Sequence, residues 1–220
     1  MNKIEHELKI TKTAQYYSND ISITSCKYFW FACHGYGMLA EALLDKFHWV
    51  TDDHLVVAPE GLSRFYWEGV TGRPVASWMT KKNRLSEIED NCNYLDILYD
   101  QYVKELPVGA KKILFGFSQG TATLWRWIHR SKPDFDVAIV WAGSIPEDIV
   151  YDREHIGQIN QAELYHFIGN RDRFITEDMK SMVQGVIEHH GMEFSFIDFE
   201  GEHKVYPDVL KKFFKDYIKE

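Results

Sequence analysis

A serine set between two glycines, Gly116-Phe117-Ser118-Gln119-Gly120, is the part of this sequence best suited to do chemistry. Residues 112–117 form an apolar run that reads as a strand, and residues 119–130 read as a helix. A nucleophile displayed on a sharp turn between strand and helix needs that context. The turn is strained, so positions two residues either side of the serine must be small, and Gly116 and Gly120 meet the demand. The small residues Gly120-Thr121-Ala122-Thr123 then let the helix approach the sheet. Its free N–H groups and dipole would favour an oxyanion beside Ser118. The chemistry would be nucleophilic attack on a carbonyl, followed by transfer of the acyl group to water.

A serine hydroxyl is a weak nucleophile and needs a base oriented by a third group. On this kind of fold the partners follow in the order serine, acid, histidine, each beyond the C-terminal end of a strand. Asp172 lies just past an apolar run at residues 164–168, and His203 just past a run at 194–199, in Gly201-Glu202-His203. Asp178, Asp198 and Glu200 are rival acids. Asp178 reads as an N-terminal helix charge, and Asp198 points off its strand. An oxyanion hole needs two backbone donors. The N–H of Gln119 is one, and the N–H of Tyr36, in His34-Gly35-Tyr36-Gly37 after the run at 28–33, is the other. The His34 side chain reads as a brace for that loop. The same segment has a competing reading. Gly35-Tyr36-Gly37-Met38-Leu39-Ala40, with Glu60 at the end of the next strand, matches a dinucleotide fingerprint. A triad present but idle, on a module that only binds, is a further alternative. No H-E-x-x-H or C-x-x-C motif appears, and His189 and His190 are adjacent and diverge on a helix, so no metal and no cofactor are expected.

The elements that must position these groups alternate. Strands are expected at 28–33, 54–58, 112–117, 137–142, 164–168 and 194–199, with a half-exposed edge strand at 8–17. Helices are expected at 38–47, 86–105, 119–130, 177–190 and 206–218. Ile88, Cys92, Leu95, Leu98 and Tyr102 recur at helical spacing in the second of these. The alternation predicts an α/β architecture with a mostly parallel central sheet, in a single domain over residues 1–220. Residues 62–83 fit no element. They hold Phe65, Tyr66, Trp67, Trp78 and Met79 among glycine and proline. Phe65, Trp67, Trp78 and Met79, with Trp141 after the elbow, are candidates for a substrate pocket. The other reading is a long loop packed onto the body.

The net charge of −8, from 33 acidic and 25 basic residues, disfavours nucleic acid and anionic membranes as partners. Two short basic clusters, Lys81-Lys82 with Arg84 and the lysines at 211, 212, 215 and 219, read as solvated faces. The three cysteines have no metal spacing, the N-terminus has no apolar leader, and no apolar run is long enough to span a bilayer. A cytoplasmic protein acting on a small molecule is expected. The oligomeric state is open.

Taken together, Cys33-His34-Gly35-Tyr36-Gly37, Ala58-Pro59, the Phe-Ser-Gln-Gly elbow, Trp141-Ala142-Gly143-Ser144-Ile145-Pro146, Gly169-Asn170-Arg171-Asp172 and Gly201-Glu202-His203 resemble the phospholipase/carboxylesterase family of α/β-hydrolases, which includes acyl-protein thioesterases. The resemblance implies a three-layer, minimal α/β-hydrolase fold without a separate lid domain. It also implies a serine esterase acting on carboxylic esters or thioesters, with Tyr36 and Gln119 as oxyanion donors. Met38 and Arg173 stand where that family usually carries Asp and Pro.

Overall fold

The computed structural model describes residues 3–219. Its centre is a seven-stranded sheet. The strands are β1 (Tyr16–Ser18), β2 (Tyr28–Cys33), β3 (His54–Pro59), β6 (Lys111–Phe117), β7 (Val137–Trp141), β8 (Glu163–Gly169) and β9 (Phe194–Phe199), in the order β1-β3-β2-β6-β7-β8-β9. All neighbours run parallel except β1, which pairs antiparallel with β3. A separate hairpin, β4 (Ser63–Tyr66) with β5 (Pro74–Ser77), stands beside the sheet.

The buried strands read as continuous apolar runs because both faces are covered. In β2, Phe29, Phe31 and Cys33 point to one face and Trp30 and Ala32 to the other. The first face is covered by α2 (Arg84–Val103), α3 (Gln119–Ser131) and α5 (Glu177–His190), through Leu95, Leu98, Leu124, Trp127, Val183 and Ile187. The second is covered by α1 (Ala40–Leu44) and α6 (Pro207–Phe213), through Leu43, Leu210 and Phe213. This is a three-layer α/β-hydrolase arrangement, and among the described residues no separate lid stands over it. Among the described residues no helix is long and apolar enough to cross a membrane.

The strand order reverses between β2 and β6. From β2 the chain moves outward to β3, and from β6 it moves the other way to β7, β8 and β9. Open α/β sheets bind ligands in the crevice beyond the carboxyl ends of the strands at such a point. Cys33 is in register with Gly116, so the loops after β2 and β6 leave the sheet side by side.

Four expectations change. Of the expected edge strand at 8–17 only Tyr16 and Tyr17 pair with β3, and the pairing runs on to Ser18. β3 ends at Pro59 and the chain turns into the β4 hairpin, so residues 3–14 have no strand to join. The helix expected at 38–47 is five residues of α-helix and a 3₁₀ turn at Asp45–Phe47. The helix expected at 206–218 gives way to a π-helical turn over Phe214–Ile218. An additional helix, α4 (Arg153–Ile159), begins at Asp152, whose carboxylate accepts the N–H of His155 at 2.7 Å. Its short, polar sequence around Gly157 carries little helical periodicity.

Candidate functional site

Ser118 follows β6 and caps α3 with φ 52° and ψ −118°. A non-glycine residue at positive φ is costly, and the surrounding backbone must hold it there. Thr121 supplies part of that hold. Its N–H and its hydroxyl both donate to the Ser118 carbonyl, at 3.0 and 2.7 Å. A side chain at position 120 would place its Cβ 2.2 Å from the Cys33 carbonyl oxygen, so only glycine lets α3 come this close to β2.

The loops after β8 and β9 bring the other two groups. Arg171 N–H donates to the Gly201 carbonyl at 2.9 Å, and Gly201 N–H donates to Asn170 Oδ1 at 3.2 Å, which locks the loops together. Ser118 Oγ–H donates to His203 Nε2 at 2.9 Å, and His203 Nδ1–H donates to Asp172 Oδ2 at 2.7 Å. The second carboxylate oxygen, Oδ1, accepts the N–H of Phe174 at 2.8 Å. The Asp172 side chain is fully enclosed, while the imidazole of His203 keeps some exposure, and the ring of Phe174 lies 4.7 Å from it. The rival acids lie elsewhere. Asp178 sits in the first turn of α5, Asp198 is on β9, and Glu200 pairs with Arg171 at 3.4 Å.

The loop after β2 lies against the elbow. A Cβ at Gly35 would stand 3.2 Å from the Cβ of Ser118. Among the described residues, neither Tyr36 N–H nor Gln119 N–H donates to a protein acceptor. Unspent backbone donors beside a nucleophile can receive a developing oxyanion. His34 braces this loop from within. It is fully buried, its Nδ1–H donates to the Gly35 carbonyl at 2.7 Å, and its Nε2 accepts Gly61 N–H at 3.0 Å. Burial pushes its pKa down to about 4, so the ring is neutral, as that bonding requires.

Glu60, the acidic residue of the dinucleotide reading, is spent. Its Oε2 accepts the N–H of Ala40 at 3.1 Å, and its Oε1 accepts Nε–H of Arg64 at 2.6 Å. The carboxylate therefore fills the N-terminus of α1, where a pyrophosphate would have to sit.

The candidate pocket residues divide into two groups. Trp78 and Trp141 have no exposed surface and cannot touch a substrate. Trp78 Nε1–H donates to the His34 carbonyl at 2.8 Å, under the Tyr36 loop. Trp141 Nε1–H donates to the Lys204 carbonyl at 2.9 Å, under the His203 loop, and its ring stacks on Phe167. Both brace loops rather than line a pocket. Phe65 and Trp67 instead stand with Tyr36 as an aromatic cluster, their ring centroids 5.4 and 5.8 Å from that of Tyr36. Met79 borders a cleft of about 340 Å³ with Ala122, Ser144 and Ile145.

The side chain of Gln119 was legible only as a neighbour of the serine. It ties the hairpin to the elbow. Oε1 accepts from Ser77 Oγ at 3.2 Å and Trp78 N–H at 3.1 Å, and Nε2 donates to the Met79 carbonyl at 2.8 Å. Its amide, placed in the elbow motif itself, was the signal available.

The model of a family described as Serine hydrolase (FSH1) matches residues 43–209. No curated protein matches the sequence significantly. Among solved structures, acyl-protein thioesterase 2 of Zea mays superposes with a TM-score of 0.71 at 14% identity, over 92% of this chain and 97% of that one. The esterase PE8 gives 0.66 at 18% identity, over 94% and 100% of the two chains. A phospholipase/carboxylesterase from Dyadobacter fermentans gives 0.65 at 15% identity, over 96% and 99%. At these identities the structural likeness speaks for the fold.

Proposed function

The chain belongs to the FSH1 serine hydrolase family, and on that premise we propose that it cleaves carboxylic esters or thioesters through an acyl-enzyme on Ser118. The observation that carries this reading is the unbroken relay from Ser118 Oγ through His203 to Asp172, at 2.9 and 2.7 Å.

His203 Nε2 takes the hydroxyl proton as Ser118 Oγ bonds to the carbonyl carbon, and the carbonyl electron pair moves onto oxygen. The N–H groups of Tyr36 and Gln119 receive that oxyanion. Asp172 holds the imidazole with its proton on Nδ1 and stabilises the imidazolium. Collapse of the intermediate expels the alkoxide or thiolate, which takes the proton from Nε2. Water then enters, gives its proton to His203 and attacks the acyl carbon. The carboxylic acid leaves and Ser118 regains its proton. Tyr36, Phe65 and Trp67 form an apolar rim for one arm of the substrate.

Hydrolysis of p-nitrophenyl esters from acetate to decanoate tests the reading. The wild-type protein should cleave them, and Ser118→Ala, with its circular dichroism unchanged, should not. Equal rates in the two proteins would remove Ser118 as the nucleophile.

A further inference from the structure

The cleft beside the elbow ends in charge. Its walls are apolar, from Met79, Ala122, Ile145, Pro146 and Met182, and its lining also holds Arg84, Arg126 and Asp148. Ala122 and Arg126 are four residues apart along α3, so they fall on one face, and Ser118 caps the helix four residues before Ala122. From the nucleophile to Arg126 the helix rises about 12 Å. The apolar wall therefore begins one turn from Ser118, and the guanidinium stands a further turn away.

Two guanidinium groups share a single carboxylate there. Arg126 Nη2 donates to Asp148 Oδ1 at 2.5 Å, and Arg84 Nη1 donates to Asp148 Oδ2 at 3.2 Å. Each arginine carries five N–H donors, and among the described residues Asp148 is the only hydrogen-bond acceptor of either. Nε of Arg126 is buried without any partner, in a side chain that is nine-tenths enclosed. Glu147, which also borders the cleft, is exposed to solvent. Arg84 and Arg126 thus stand there with two carboxylates, Asp148, which they share, and Glu147, which pairs with neither among the described residues.

We propose that this cleft holds the acyl arm of the substrate and that Arg126 and Arg84 bind an anionic group at its far end. The preferred substrate is then a half-ester or half-thioester of a dicarboxylic acid. Side chains on a helix lean toward its N-terminus, which brings the guanidinium nearer to Ser118 than the helical rise alone. A carbon chain of about six to nine atoms spans the remainder of the roughly 12 Å. The ω-carboxylate accepts from guanidinium N–H groups that Asp148 leaves free, and the methylenes between replace water against Met79, Ile145 and Met182. The inference rests on the proposed role of Ser118 for the direction of the acyl arm, but the anion site itself does not.

The test compares mono-p-nitrophenyl suberate with p-nitrophenyl octanoate, which have equal chain length and differ in the terminal carboxylate. The wild-type protein should favour the suberate by about 10- to 100-fold in kcat/KM, the range expected of a hydrogen bond to a charged group. Arg84→Gln should lower that ratio, and Asp148→Asn, which frees both guanidinium groups, should raise it. Calorimetric titration of free suberate into Ser118→Ala reads the site without catalysis and should show binding that weakens in Ser118→Ala/Arg84→Gln. Octanoate cleavage with no suberate preference and no suberate binding would overturn the inference and leave the Ser118 mechanism standing. Suberate binding with neither ester cleaved would do the reverse.

Discussion

Asp172→Asn isolates what the buried carboxylate contributes, because the structure dictates how the amide must sit. Oδ1 accepts the N–H of Phe174 at 2.8 Å, so the asparagine oxygen has to take that position. The NH₂ group then occupies the place of Oδ2, 2.7 Å from His203 Nδ1. A donor there requires Nδ1 to be the acceptor, which moves the imidazole proton to Nε2. That proton points at Ser118 Oγ, 2.9 Å away, and the base is gone. The alternative flip would restore the tautomer but set two donors, NH₂ and Phe174 N–H, against each other in a closed site. Loss of the correct tautomer in a serine–histidine–aspartate relay costs about 10⁴ in kcat, or about 5.4 kcal/mol. Steady-state hydrolysis of p-nitrophenyl esters at pH 7 measures it, with KM expected to change little because Asp172 touches no open surface. A variant with kcat within tenfold of wild type would refute the claim that this hydrogen bond sets the proton on His203.

Three other predictions follow from the same geometry. Ser118→Gly removes the cost of a side chain at φ 52°, so urea unfolding should find it about 1 kcal/mol more stable than Ser118→Ala. Equal stabilities would mean that the turn is not strained. Trp78→Phe strands the buried His34 carbonyl and should lose about 1–3 kcal/mol, while leaving the acyl-length preference as in wild type. A shifted preference would put Trp78 in the pocket after all. Burial pushes the pKa values of His34 and His166 down to about 4, from an unfolded value near 6.5. The unfolded chain therefore binds protons first as pH falls. The stability these two neutral rings allow is complete above about pH 6.5 and declines toward pH 4, by roughly 2 kcal/mol each at pH 5. Urea midpoints unchanged between pH 7 and pH 5 would contradict this.

The strands β2, β3, β6, β7 and β8 were readable because a strand buried on both faces must be an apolar run, and each such run here ends in glycine, proline or polar residues. The order of Ser118, Asp172 and His203 beyond their strands was readable for the same reason, since strand ends fix where loops begin. What escaped depends on partners distant in sequence. The β4 hairpin pairs Ser63 with Ser77 across a turn rich in glycine and aromatics, and no alternation marks it. The indoles of Trp78 and Trp141 look like pocket walls by residue type alone. Only the carbonyls they meet, at His34 and Lys204, show that they brace loops instead. The shared carboxylate of Asp148 joins Arg84 and Arg126 from two helices and could not be seen from spacing.

Mass spectrometry after reaction with a fluorophosphonate probe tests the central claim most directly. The wild-type protein should gain one phosphonyl group, located on the peptide containing Ser118, and Ser118→Ala should gain none. Labelling at another serine, or a wild-type protein that stays unlabelled while it hydrolyses esters, would contradict the account.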